Sequence, residues 1–292
     1  MTTSSRFWRD VAVTALAPAI WGSTYIVTTE LLPPERPFTA ALLRVLPAGL
    51  LLLAWSRRRP QAGEWWRLWL LSALNIGVFQ ALLFVAAYRL PGGIAAVVGA
   101  CQPLLVMALL WLLEQQAPRR LALLAAGGGM AGMALLLLSP AAHWDALGVL
   151  AALGGAACMA CGTYLTRRWG SSLPVLALTG WQLLLGGVLL APLAWQLDPP
   201  LPLLAPRQWL GYGYLSLAGA LLAYALWFRG VARLPAVAVS SLGLLSPLCA
   251  VLLGWLLLGQ SLRGWALGGL LLVLGSVLAV QWSSQQPVPR RG

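Results

Sequence analysis

Residues 88–103 read YRLPGGIAAVVGACQP and residues 232–247 read ARLPAVAVSSLGLLSP. An Arg-Leu-Pro turn, Arg89-Leu90-Pro91 or Arg233-Leu234-Pro235, is followed in each by an apolar stretch that meets a second proline, Pro103 or Pro247, at the same distance. The offset is 144 residues, and in the same register Gln80 pairs with Tyr224, Phe84 with Phe228 and Gly99 with Gly243. Further upstream, Ser23-Thr24-Tyr25-Ile26 resembles Gly162-Thr163-Tyr164-Leu165 at an offset of 139, and Pro37 and Gly49 match Pro174 and Gly186 at 137. Similarity that drifts only by loop lengths indicates two copies of one unit.

Each unit is apolar almost throughout. Of 292 residues 60% are hydrophobic and 9% charged, against about 25% charged in soluble domains, and the mean hydropathy is +0.81. Ten runs of about one bilayer each can be drawn: Val11–Thr29, Phe38–Trp55, Trp66–Tyr88, Gly92–Leu113, Leu121–Leu138, Ala146–Leu165, Pro174–Trp195, Gln208–Phe228, Ala236–Leu258 and Gly264–Trp282. The loops leave no room for an aqueous catalytic domain. The first run, behind Arg6 and Arg9, is read as a span and not as a cleaved leader, because its apolar stretch continues well past Ala17. The expected organisation is a first five-helix unit over residues 1–138, a second over 146–282, and a tail over 283–292. Five is odd, so the second unit must enter the membrane from the opposite side. Inverted repeats of this kind characterise secondary transporters, with the substrate site between the halves near the midplane.

The net charge of +12 points to topology, not to nucleic acid. All 19 basic residues are Arg and nearly all lie between the runs. One side collects Arg6, Arg9, Arg57, Arg58, Arg59, Arg67, Arg119, Arg120, Arg167, Arg168, Arg229, Arg233, Arg290 and Arg291, and the other only Arg36, Arg89, Arg207 and Arg263. The positive-inside rule then places both termini in the cytoplasm. Most tryptophans, among them Trp55, Trp195, Trp227 and Trp282, stand at or near run ends, as interfacial belts require. Trp21 stands mid-run and must pack in the core, face lipid or line a cavity.

Pro103 and Pro247 fall about midway along their runs, where proline removes a helical hydrogen bond and produces a kink. Paired kinks would open a cavity and supply bending points, although proline is also tolerated in membrane helices without a transport role. The seven acids, Asp10, Glu30, Glu35, Glu64, Glu114, Asp145 and Asp198, lie at or outside run ends, so no carboxylate is placed as a mid-membrane proton relay. His143 reads as a solvated loop residue. Cys158-x-x-Cys161 lies inside an apolar helix beside Gly154, Gly155 and Gly162, a pattern for close helix contact more than for zinc. Arg44 lies about 10 Å into its run at about 1.5 Å per residue, and either snorkels, pairs with a carbonyl or meets a substrate carboxylate. The remaining centre is uncharged: Trp21, Thr24, Tyr25, Phe79, Gln80, Phe84, Gln102, Thr163, Tyr164, Tyr224, Ser240, Ser241 and Ser246. These groups serve either ordinary helix contacts or an aromatic, polar cavity for zwitterionic or amphipathic solutes.

The mid-span AIWGSTYI around Trp21, the proline and then Arg44 in the second run, and the duplicated Arg-Leu-Pro turn with its second proline resemble the EamA-type drug/metabolite transporter superfamily. Within it the chain looks most like bacterial amino-acid and metabolite exporters, including YddG-type aromatic amino-acid exporters. The resemblance implies a multi-pass protein of the bacterial inner membrane, all-α, with ten helices as a five-plus-five inverted repeat around a central cavity. On matching positions it implies substrate contacts from Trp21, Phe79, Gln80, Gln102, Tyr164, Tyr224 and Ser246, with Pro103 and Pro247 as hinges. The chain departs from the usual pattern at Gly259-Gln260, where a Gly-Glu pair is common. The expected function is export of small metabolites, chiefly amino acids, by alternating access. A drug, nucleoside or nucleotide-sugar carrier, or a lipid-head-group flippase or accessory subunit, is the alternative. The expected partners are the small-molecule substrate and the bilayer, with no cofactor, metal, enzymatic activity or nucleic acid, in a monomer or weak homodimer.

Overall fold

The computed structural model describes residues 3–90, 94–137, 145–259 and 264–285. Among these, ten helical stretches are long and apolar enough to cross a bilayer. They are span 1 (Ser5–Leu31), span 2 (Pro37–Ser56), span 3 (Ala62–Ala86), span 4 (Ala95–Glu114) and span 5 (Arg120–Leu137), then span 6 (Ala146–Trp169), span 7 (Val175–Leu197), span 8 (Pro206–Arg233), span 9 (Ala236–Leu258) and span 10 (Trp265–Gln285). The chain is an all-α, multi-pass membrane protein. An even number of crossings puts the start of span 1 and the end of span 10 on one face, called the terminal face below.

Span ends differ from the hydropathic runs for local reasons. Span 1 begins ahead of Val11 because Phe7 and Trp8 still pack on the core. Span 8 continues past Phe228 to Arg233 because Arg229 and Arg233 are both paired with Asp10. Pro91, Gly92, His143, Gln260 and residues 286–292 of the tail lie outside the described residues.

The packing repeats. Spans 2 and 7 pack on each other, as do spans 5 and 10; span 3 packs on span 6 as span 8 does on span 1, and span 4 on span 6 as span 9 does on span 1. Advancing every span by five maps these contacts onto themselves, consistent with an inverted-repeat fold. The seam between spans 5 and 10 explains its small residues. A β-carbon on Gly132 would stand 2.9 Å from the Gly269 carbonyl oxygen, and one on Gly269 would stand 2.5 Å from that of Gly132. Backbones this close gain dispersion contact that larger side chains would forbid.

The two mid-span prolines do more than kink their helices. Span 4 divides into Ile94–Gly99 and Gln102–Glu114, and span 9 into Ala236–Leu242 and Leu245–Leu258. Pro103 and Pro247 have no N–H to return to the carbonyls of Gly99 and Gly243, and their rings crowd those carbonyls. The backbone between the pieces tightens instead, with Cys101 N–H donating to Val98 O at 3.1 Å and Leu244 N–H to Ser241 O at 3.2 Å.

A second symmetric pair of irregularities has no proline to announce it. Span 3 widens into a π-turn at Ala73–Gly77 and span 8 into one at Leu217–Leu222, again 144 residues apart at their starts. Four spans are thus irregular near their middles, where irregular backbone is tolerated only if protein groups satisfy it.

Candidate functional site

The π-turns show how that satisfaction is supplied. In span 8 the Ala223 N–H donates to Ala218 O and Ala220 O, passing over Gly219. The Gly219 carbonyl instead accepts from Trp21 Nε1–H at 2.9 Å and from Arg44 Nη2–H at 3.0 Å. In span 3 the π-turn carries Asn75, whose amide donates to Gln182 Oε1 at 2.7 Å and to Thr166 Oγ1 at 3.3 Å. Its partner on span 6 must be small there, since a β-carbon on Gly162 would collide with Asn75 Oδ1. Each half's π-turn is therefore tied to the first and second spans of the other half: span 8 to spans 1 and 2, span 3 to spans 6 and 7.

Tyr224 lies at the centre of this arrangement. Gln80 Nε2–H donates to its hydroxyl at 3.1 Å, with both side chains buried. Its ring centroid is 5.0 Å from that of Trp21, and it stacks on Phe228 at 6.0 Å. Trp21 also meets Trp227 at 5.2 Å. The Arg44 guanidinium stands 6.0 Å from the Tyr224 ring centroid, within reach of the attractive ring quadrupole. Gln102 comes in from span 4 toward the break in span 9, where its Oε1 and Trp227 Cη2 both approach the open side of Gly243. Several polar atoms here are buried without a partner: Arg44 Nε, Gln80 Oε1 and Gln102 Nε2. Unsatisfied buried groups cost about 1–3 kcal/mol each, and a cluster of them is a demand for a ligand or water.

Of the residues singled out from sequence, the structure groups Trp21, Gln80 and Tyr224, with Gln102 beside them. Phe79 lies on the adjoining side of span 3 against Gly155 of span 6. Ser246 opens the second piece of span 9, and its carbonyl lies against Gly22 of span 1. Tyr164 is buried away from the cluster beside Glu114 and Arg168. Tyr25, assigned to the centre, is an electrostatic neighbour of Arg44 but keeps 52% of its surface open, so it stands beside the cluster without packing into it. Trp227, assigned to a belt, is 1% exposed; span 8 outruns its hydropathic end, so the residue faces inward. Asn75 and Gln182 went unrecognised because a single amide within a leucine-rich run gives no signal until its partner is known.

The two faces differ. Toward the face opposite the termini, a pocket of about 300 Å³ is lined by Glu35, Pro37, Phe38, Phe84, Val85, Arg89, Leu197 and Asp198. Phe84 lies one helical turn from Gln80, so this pocket adjoins the cluster. At the terminal face the equivalent of Phe84 is Phe228, only 2% exposed, and beyond it Asp10 pairs with Arg229 at 2.6 Å and Arg233 at 3.5 Å. On the pocket side Arg89 reaches Asp145 at 3.6 Å with both side chains substantially exposed, and Val85 stands where Arg229 stands in the other half. Among the described residues, the face opposite the termini thus carries an open pocket where the terminal face carries a buried ring and paired charges.

The sequence profile of the EamA-like transporter family matches twice, over residues 10–138 and 146–282. Protein PecM of Dickeya dadantii is 43% identical over 267 residues, covering 91% of this chain and 90% of PecM. The uncharacterized transporter YwfM of Bacillus subtilis is 32% identical, covering 89% and 90%, and the uncharacterized inner membrane transporter YedA of Escherichia coli K12 is 30% identical, covering 83% and 81%. A solved crystal structure 19% identical superposes with a TM-score of 0.81 over 95% of this chain and 98% of that one, a likeness of fold.

Proposed function

This chain belongs to the EamA-like transporter family, and from that premise we propose that it exports small metabolites, chiefly amino acids including aromatic ones, across the bacterial inner membrane by alternating access. The observation that carries the reading is the Gln80–Tyr224 contact within an aromatic cluster that holds Arg44 and no acid, with a pocket toward one face and part-buried ion pairing of Asp10 toward the other. Rings and amides at the centre suit the apolar and hydrogen-bonding parts of an amino acid. The inner-membrane assignment is supported by the YedA relative and by the arginine distribution, which puts the terminal face in the cytoplasm. The visible pocket then opens outward. Residues 1–138 and 146–282 act as the two rocking units and Pro103 and Pro247 as their hinges.

No acid lies at mid-span to relay a proton, so flux runs down the substrate gradient. Full-length protein in liposomes should accelerate labelled phenylalanine or leucine flux, with Gln102→Ala and Tyr224→Ala lowering it at least about tenfold. Absence of protein-dependent flux for any amino acid sinks the substrate class. A steep dependence of initial rate on an imposed proton gradient sinks the uncoupled mechanism.

A further inference from the structure

The proposed cargo leaves one central group unexplained. Arg44 is a cation in the second span, and none of the ion pairs among the described residues involves it. It does not snorkel to a membrane face. Its Nη2 is spent on the Gly219 carbonyl in the middle of span 8, and the guanidinium lies beside the Tyr224 ring. Its Nε is buried with no partner.

A purely structural donor to Gly219 would not require a charge, because Trp21 already donates to that carbonyl. An ionised guanidinium at membrane depth is retained where an anion or a carbonyl array balances it. Here one carbonyl is present and the carboxylate is missing. The fork geometry of guanidinium matches a carboxylate with two parallel hydrogen bonds, and the aromatic cluster beside it would take an apolar side chain.

We infer that Arg44 is the carboxylate-recognising residue of the central site, so that the cargo is a small monocarboxylate with an apolar or polar uncharged tail, anchored between Arg44 and the Trp21–Tyr224 rings. This rests on the transport reading and narrows it: amines, nucleosides and neutral drugs lack the anchoring group.

The test is equilibrium binding to full-length protein in lipid nanodiscs. The probes are L-phenylalanine and L-leucine against their amides, and 3-phenylpropionate against 3-phenylpropionamide. Wild type should prefer each acid over its amide by about tenfold or more, which is about 1.4 kcal/mol. Arg44→Gln should abolish the preference, and Arg44→Lys should keep part of it. The acid-to-amide ratio is internal to each preparation and insensitive to the fraction of folded protein. Should Arg44→Gln fail to insert, the wild-type ratio and Arg44→Lys still decide. Equal binding of acid and amide by wild type, or a preference that survives in Arg44→Gln, overturns the assignment of Arg44 while leaving amino-acid transport standing. Preference for 3-phenylpropionate with no amino-acid binding supports Arg44 and overturns the amino-acid reading. No binding of any carboxylate overturns both.

Discussion

Gln80 donates to Tyr224 across 3.1 Å, and the two occupy the same position in the two halves of the chain. Symmetry-related residues can touch only beside the axis that relates them, so this contact marks the pseudo-two-fold axis. Spans 5 and 10, likewise equivalent in the two halves, meet at Gly132 and Gly269. The candidate site is therefore built where the two halves meet, the place at which the proposed rocking of one half against the other would act on both faces at once.

Breaking the Gln80–Tyr224 hydrogen bond tests that placement. A cycle of Gln80→Leu, Tyr224→Phe and the double variant should give a coupling of about 0.6 kcal/mol, and no more than about 1.7, in thermal or denaturant unfolding in detergent. Strict additivity would mean that the two side chains do not interact.

The ion pairs at the two faces are unequal, and that inequality should set the resting conformation. Asp10→Asn leaves Arg229 and Arg233 facing each other without an acid. In a background lacking Cys101, Cys158, Cys161 and Cys249, a cysteine replacing Phe228 should then label with a maleimide at least several-fold faster than it does beside intact Asp10. Val85→Arg, which gives the opposite face its missing cation near Asp145, should slow labelling of a cysteine replacing Phe84. Unchanged labelling in both would remove the ion pairs from the gating mechanism.

Asn75 should matter more for stability than its surroundings suggest. Asn75→Leu strands Gln182, whose Nε2 already lacks a partner, and should cost about 1–3 kcal/mol. Gly162→Ala should cost a similar amount through overpacking against the Asn75 amide. The penalty of Gly162→Ala should shrink when Asn75 is replaced by Ala; a Gly162→Ala penalty indifferent to residue 75 contradicts the contact.

At the seam of spans 5 and 10, Gly132→Val or Gly269→Val should lower the melting temperature by several degrees, the scale of about 1–3 kcal/mol of overpacking. Gly127→Val serves as the control, because nothing lies within 4 Å of a β-carbon there. Equal effects at the three positions would argue for helix propensity and against close backbone approach.

Much of the architecture was legible in the chain because bilayer insertion is a local problem. Twenty apolar residues, an arginine at one end and a proline at mid-length carry their meaning without knowledge of neighbours, so the ten spans, the duplication and the positions of the span 4 and span 9 breaks could be read directly. Trp21, Gln80 and Tyr224 could be nominated because polar and aromatic groups at mid-membrane are few. Tertiary structure alone decided what those groups do. Whether Trp227 belongs to a belt or a core depends on which helix face meets span 1. Tyr25 and Thr24 are adjacent, yet Thr24 packs against Gly219 while Tyr25 keeps half its surface open beside Arg44. The π-turns at Ala73–Gly77 and Leu217–Leu222 follow from partners 91 to 198 residues away in the other half, since a widened turn is stable only where another span completes its hydrogen bonding. Side-chain partnership across an axis is a property of two segments together, and neither segment encodes it alone.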